Sequence, residues 1–396
     1  MGSLISQIQA VVAMNLRSLP QRIWMSLATL FAVAIVVAVL LAFLSMANGF
    51  QQTVKNTGSE SLAVILRAGS QAELNSVITR DQVNLLSEAP GIVRGDKGPK
   101  VSAELYVTVD GIKRSSQTEV NLPLRGISES GISLREGFTI IEGRMFEPGK
   151  NEIVVGSSVL REFSGFELGN SLRFGKTTWT VVGVFEAGAS VFASELWTDV
   201  RTLQSQFNRG SSAQVIRVAL QQPGDIGAIT EYIDKEPRLN MDVKTEAEYY
   251  QEQAKAMSDM IFFLGWPLAI AMALGALAGA LNTMYNSVAQ RAVEIATLRA
   301  IGFRGVSAFL GTLVESLVLA FIGGLLGTLA AFLLFDGISA STLGGSFTQI
   351  VFSFELSSDA FVQGITLAMI IGLVGGFFPA LKASRVPVMV AFSVDP

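Results

Sequence analysis

The stretch Ile23-WMSLATLFAVAIVVAVLLAFLS-Met46 decides the fold. No Asp, Glu, Lys or Arg occurs between Arg22 and Lys55. A helix needs roughly 20 apolar residues to cross the hydrocarbon core, so this run can span a bilayer. Three further runs have the same character: Met260 to Tyr285, Gly305 to Phe335, and Ala360 to Leu381. The first stands alone, and a long polar insert separates it from the other three. The pattern predicts an α+β membrane protein with four transmembrane helices and a large mixed α/β extracytoplasmic domain between helices 1 and 2.

Charge assigns the sides. Of the 29 Lys and Arg, only Arg17, Arg22, Arg291, Arg299, Arg304, Lys382 and Arg385 fall outside residues 55–255. All seven flank apolar runs, whereas the short loop holding Asp336, Glu355 and Asp359 contains no base. The positive-inside rule puts the basic segments, with both termini, in the cytoplasm. The insert and the acidic loop then lie outside. A signal peptide is the competing reading of the first run, but an h-region is about 7–15 residues and this one is longer. Residues 4–19 have helical amphipathic spacing, suited to the inner membrane surface. The segmentation is 1–22 cytoplasmic amphipathic helix, 23–47 first span, 48–257 external domain, 258–286 second span, 287–304 cytoplasmic connection, 305–335 third span, 336–358 external loop, 359–381 fourth span, and 382–396 cytoplasmic tail.

Cysteine and histidine are both absent. Zinc sites built on those residues and triads that use His as base are therefore excluded. No catalytic, cofactor-binding or metal-ligating set is expected. Gly169-NSLRF-Gly175-Lys176-Thr177 imitates a phosphate-binding loop. It has five residues between its glycines where the motif needs four, and a β-rich segment where the motif needs a helix. The simpler reading is strand, glycine turn, strand.

Within the insert, strands are expected at Ser61 to Leu66, Val101 to Val109, Glu119 to Arg125, Glu152 to Val155, Ser171 to Phe174, Thr177 to Phe185, Val215 to Leu220 and Met241 to Lys244. Asp110-Gly111 reads as a type I′ hairpin turn. Helices are expected at Thr79 to Ser87, Ser157 to Phe163, Asp199 to Phe207 and Ile226 to Lys235, and from Glu246 directly into the second span.

After the second span comes Arg291-AVEIATLRAI-Gly302. Helical spacing puts Ile295, Leu298 and Ile301 near one face, with Arg291, Glu294 and Gln290 on another. Gly302 is a natural helix stop. Such an amphipathic helix offers a cytoplasmic partner something to grip. In the spans, Gly275 with Gly279 and Gly323 with Gly327 permit close helix packing, either within the chain or across a dimer seam. Glu315 is the acid inside a spanning run. It reads as an anchor near the inner interface, paired with Asn282 or a basic cytoplasmic residue, in preference to a proton-coupling group.

The Arg291–Gly302 pattern, the one-plus-three spans and the external domain resemble the MacB-type permeases of ABC transporters. That superfamily includes lipoprotein-releasing and FtsX-type members. Glu315-Ser316, Gly323-Gly324-x-x-Gly327 and Pro379-Ala380-x-x-Ala383-x-Arg385-x-Pro387 match too, as do Gly143-Arg144, Asn151 to Val155 and Val181 to Val184. Met389 departs from the acidic residue that often follows Pro-x. The resemblance implies a MacB-like periplasmic core domain at 48–257 and a permease subunit of the inner membrane without a fused ATPase. It further implies ATPase coupling through Arg291, Glu294, Ile295, Leu298, Arg299, Ala300 and Gly302. ATP and Mg would be bound by a separate ATPase, with a second permease copy or paralogue as partner. A periplasmic adaptor and outer-membrane channel belong to the exporter reading. Lipoprotein release and FtsX-like signalling to a cell-wall hydrolase are the alternatives.

Overall fold

The computed structural model describes residues 4–96, 98–135, 137–188, 190–343 and 348–391. In chain order the helices are α1 Leu4–Ser18, α2 Ile23–Lys55, α3 Arg80–Leu86, α4 Glu129–Ser133, α5 Ser157–Glu162, α6 Val200–Gln206, α7 Ile226–Lys235, α8 Glu246–Gln290, α9 Ala292–Ala300, α10 Gly305–Phe335 and α11 Ser358–Ser384. The strands are β1 Leu62–Arg67, β2 Arg94–Gly95, β3 Gly98–Pro99, β4 Val101–Lys113, β5 Glu119–Ile127, β6 Thr139–Gly143, β7 Glu152–Gly156, β8 Phe163–Ser164, β9 Ser171–Phe174, β10 Thr177–Glu186, β11 Leu196–Asp199, β12 Val215–Ala219, β13 Met241–Thr245, β14 Ser339–Leu343 and β15 Gln349–Ser353. The chain divides into a helical unit, residues 4–48, 260–338 and 354–391, and a sheet unit, residues 49–259 with 339–353.

In the helical unit, four helices are long and apolar enough to cross a membrane. Val33, Val37, Leu40 and Leu41 of α2 are buried against Ala276, Ala368 and Ile371. Large apolar side chains such as Phe263 and Leu333 face outward, 77% and 72% exposed, as lipid contact requires. The glycines singled out in the sequence separate into two pairs. A Cβ on Gly327 would lie 2.4 Å from the Ala34 carbonyl oxygen, and one on Gly323 would lie 3.0 Å from that of Leu30, so α10 and α2 meet backbone to backbone. Gly275 and Gly279 have nothing within 4 Å of a Cβ position. The first pair packs the chain on itself, and the second is open.

In the sheet unit the strand order is β13-β1-β12-β4-β5-β11-β7-β10-β6, with β8 on β4 and β9 on β10. Two apolar cores form on it. Ile65, Leu86, Ile216, Val218 and Ile229 belong to one, and Val107, Leu124, Val155, Trp179, Leu196 and Leu203 to the other. β4 serves both, because Val101–Glu104 pairs with β12 and Leu105–Ile112 pairs with β5. Local signals agree with the packing. Thr79 and Gln82 close a capping box on α3. Asp199 caps α6 by accepting from the Thr202 N–H at 2.9 Å.

Two expectations are corrected. Asp110-Gly111 is not a turn: β4 runs straight through it, pairing Asp110 with Asn121 and Gly111 with Val120. A Cβ at Gly111 would lie 2.4 Å from Leu122 Cδ1, so the glycine serves close approach of side chains in a strand. The chain instead reverses beyond Lys113, where Gln117 takes φ 55° and the Lys113 N–H donates to the Thr118 carbonyl. Secondly, the loop between the third and fourth spans contains the hairpin β14–β15, which belongs to the sheet unit. Val351 enters the core beside Leu196, and its N–H donates to Ser194 Oγ at 2.9 Å. Tyr106 and Thr348 share a buried hydroxyl hydrogen bond of 2.8 Å. The Gly175 imitation loop is the β9–β10 turn, pairing Phe174 with Thr177.

Candidate functional site: an anchored amphipathic helix

α9 occupies most of the Arg291–Gly302 motif, and the sequence explains both of its ends. At the C-terminus, Gly302 adopts φ 104°. The Gly302 N–H reaches the Arg299 carbonyl and the Phe303 N–H reaches the Leu298 carbonyl, the paired bonds of a Schellman stop. At the N-terminus stands Arg291, whose side chain is almost wholly buried. Its Nη1 lies 3.1 Å from Glu315 Oε2 on α10, and its Nε lies 3.3 Å from Glu294 Oε2 on α9. Its Nη2 donates to Asn15 Oδ1 on α1. Glu315 also accepts from Ser287 Oγ at 3.5 Å, and Arg22 Nη1 donates to that hydroxyl at 2.7 Å. One charged chain of contacts therefore ties α9 to α1, α8 and α10.

This placement corrects the face assignment read from spacing. Arg291 faces inward, so it is not offered to a partner alongside Glu294. Ile295 is buried, with Ala296, against Ala308, Ala383 and Val386, and Leu298 is partly buried. Ile301, expected beside them, lies past the last helical residue and is 70% exposed. Arg299 turns back to donate to the Val386 carbonyl. The outward face of the segment is thus Val293, Glu294, Thr297, Ala300 and Ile301. Glu315 takes its partner from the basic connection, while Asn282 is exposed. Ser287 carried no signal of its own in the sequence, and Asn15, which amphipathic spacing puts on the polar face of residues 4–19, is buried instead. Asn15 lies at an inward position of α1 and beside Gly311 of α10, where a Cβ would come within 3.2 Å of its amide nitrogen.

A second charged constellation lies buried in the sheet unit, and spacing gave no hint of it. At the point where β4 changes partners, Glu104 binds Arg135 and Arg217, each at 2.7 Å, and Arg125 at 3.0 Å. Glu73 bridges Arg125 at 2.6 Å and Arg217 at 2.8 Å. Glu195 takes Arg125 with both oxygens, at 2.6 and 2.7 Å, and accepts from Trp197 Nε1. Glu246, the first residue of α8, lies 3.1 Å from Arg217 Nε, and the Tyr250 hydroxyl meets Arg217 Nη2 at 3.0 Å. Burial alone would raise the Glu104 carboxyl, but the guanidinium groups of Arg135, Arg217 and Arg125 outweigh it and hold it well below the usual carboxylate range. Glu73 is likewise held down, against the effect of burial, by Arg125 and Arg217.

Four apolar spans with a mixed α/β domain after the first, and an anchored amphipathic helix between the second and third, define a multi-pass permease architecture. The profile of the MacB-like periplasmic core domain matches residues 26–236, and that of the FtsX-like permease C-terminal domain matches residues 267–388. The chain belongs to this family of ABC transporter permeases. A macrolide export ATP-binding/permease protein MacB of Bdellovibrio bacteriovorus is 25% identical over 389 residues, covering 90% of this chain and 57% of the relative. The chain spans under two thirds of that relative's length. An uncharacterized ABC transporter permease of Methanocaldococcus jannaschii is 21% identical over 394 residues and is matched over 96% of both chains. Among solved structures, the periplasmic region of MacB from Actinobacillus actinomycetemcomitans aligns with 51% of this chain and 96% of its own, at 16% identity and a TM-score of 0.38.

Proposed function

We propose that this chain is the permease component of an ABC transporter, driven by a separate ATPase that binds ATP and Mg and docks on the outward face of α9. The observation that carries the reading is the anchoring of α9. A helix fixed to α1, α8 and α10 by Arg291 passes a push on Val293, Glu294, Thr297, Ala300 or Ile301 to three neighbouring elements at once. The archaeal relative is named as an ABC transporter permease, in keeping with the permease reading. Both termini face the cytoplasm, the sheet unit faces outward from the inner membrane, and the permease works as a dimer with a second copy or paralogue. Its movements export or release an amphipathic, lipid-linked or peptide-like substrate, with an adaptor and outer-membrane channel where a second membrane must be crossed.

The test uses exposed residues that hold nothing in place. Val293→Asp combined with Ile301→Asp is expected to lower recovery of the ATPase on the purified full chain at least tenfold, with membrane insertion unchanged. Undiminished recovery would refute α9 as the docking element. Because the chain has no cysteine, single cysteines at Glu147 and Thr297 report sidedness. A membrane-impermeant thiol reagent applied outside should label only the first.

A further inference from the structure

The buried ionic cluster of the sheet unit is unevenly balanced. Three arginines, Arg125, Arg135 and Arg217, face four carboxylates, Glu73, Glu104, Glu195 and Glu246. Remove Glu246 and three cations remain with three anions. Glu73 and Glu104 each keep at least two guanidinium partners, and Glu195 keeps its two-oxygen contact with Arg125. Removing any one of the four carboxylates leaves three against three, but without Glu104 the Arg135 guanidinium loses its ion-pair partner, and without any one arginine four carboxylates face two cations, where an unpaired buried ion is far costlier than a pair. Glu246, carried by α8, is the carboxylate of the four that is held by a single guanidinium nitrogen.

Its surroundings make the same distinction. Glu246 is held by Arg217 Nε, while the Nη1 and Nη2 of that arginine have their own partners in Glu104 and Glu73. β13 ends at Thr245 and α8 begins at Glu246, so the helix head adjoins an edge strand with no loop between. A small cavity of about 30 Å³ is lined by Tyr249, Tyr250 and Gln253 of the head, by Glu195 and Arg125, and by apolar groups such as Val191. That is enough for a water molecule, which needs about 10–15 Å³ and two to four polar partners. The head is also held by the Tyr250 hydroxyl on Arg217 Nη2 at 3.0 Å, by the Ala247 N–H on the Ser59 carbonyl at 3.3 Å and by Tyr250 edge-on to Phe192 at 6.0 Å, contacts that must loosen with it.

The geometry points to a clutch: the Arg217–Glu246 pair is a release point at which the first turns of α8 disengage from the sheet while the other six charged groups stay paired. Water then takes the place of the carboxylate on Arg217 Nε. The two cores of the sheet unit then remain one body whether the helix head is engaged or not. Its use in transport rests on the permease reading, but the device itself is a property of the sheet unit.

Hydrogen exchange on the full chain in lipid nanodiscs, with no ATPase present, tests the clutch independently of that reading. Glu246→Gln is expected to raise exchange at residues 249–256 at least tenfold and to leave β7, β12 and the thermal transition as in the parent. Glu104→Gln is expected to raise exchange across both cores or to prevent the sheet unit from folding. The clutch is overturned if Glu246→Gln loosens both cores as Glu104→Gln does, if it leaves residues 249–256 as protected as before, or if Glu104→Gln proves as mild as Glu246→Gln.

Discussion

Replacing Arg291 by Met takes away the cation that faces Glu315 and leaves an acid buried among α1, α8 and α10 with Ser287 and its 3.5 Å hydroxyl contact. It also removes the bond to Asn15 and the contact to Glu294. Truncating one partner of a buried ion pair typically costs about 3–5 kcal/mol, most of it from the charge left unpaired. At about 1.4 kcal/mol per tenfold, local opening of α9 should become roughly two to three and a half decades more frequent. The readout is amide exchange at residues 295–300 in the full chain, where the helix ladder is closed only while α9 is docked. Adding Glu315→Leu to Arg291→Met removes both charges, so exchange should return much of the way towards the parent value. Recovery in the double variant is the signature of a charge pair, as distinct from loss of packing. If the two single effects simply add, or if Arg291→Met leaves exchange unchanged, the anchor does not hold α9 and the coupling argument loses its basis.

Further outcomes follow from other positions. Gly327→Val should prevent α10 from seating on α2 and abolish recovery of monodisperse protein, because the Cβ alone would sit 2.4 Å from the Ala34 carbonyl oxygen; Gly275→Ala, with open space around it, should leave the monomer's stability unchanged. Val351→Ala should destabilise the sheet unit by about 2–3 kcal/mol, two buried methyl groups plus the cavity they leave, measured by denaturant unfolding; no change would mean that the hairpin is an accessory. In acid, the sheet unit should weaken. The Glu73 and Glu104 carboxyls are held below the ordinary value of 4.5, so the unfolded chain binds protons first as pH falls, and the stabilisation present above about 4.5 is progressively lost below it. A thermal transition that rises between pH 5 and pH 3 would contradict this.

The spans, the insert and the amphipathic segment were legible because a bilayer imposes length and polarity on contiguous residues, and Ile23–Met46 meets both demands locally. Strands with branched apolar runs, such as Leu62–Arg67 and Thr177–Glu186, were legible for the same reason. β11, four residues of mixed character, and β6, an edge strand with little burial, had no such local signature. Asp110-Gly111 misled because the dipeptide suits a turn, whereas the reason for Gly111 lies across the strand pair at Leu122. Arg291 looked like surface charge on a short helix. Only the positions of Glu315 and Asn15, 24 and 276 residues away, turn it inward. The buried cluster was illegible throughout, since its seven groups come from seven separate segments and an Arg or Glu in a strand normally signals solvent.

The hairpin β14–β15 sets an order of events during synthesis. Ser194 must wait for Val351, 157 residues further along the chain. At translation rates of about 5–20 residues per second, that interval is roughly 8–30 s. Throughout it the slot beside Leu196 is unfilled, the large sheet is fully synthesised once β13 ends at Thr245, and α10 must be made before the hairpin arrives. The newborn domain therefore passes through a stage that is nearly complete yet open at one apolar seam, the stage at which a chaperone has something to hold and a protease something to cut. For the same reason a recombinant fragment ending before residue 339 would reproduce this immature stage, and a circularly joined or hairpin-grafted fragment would be needed to reproduce the finished one.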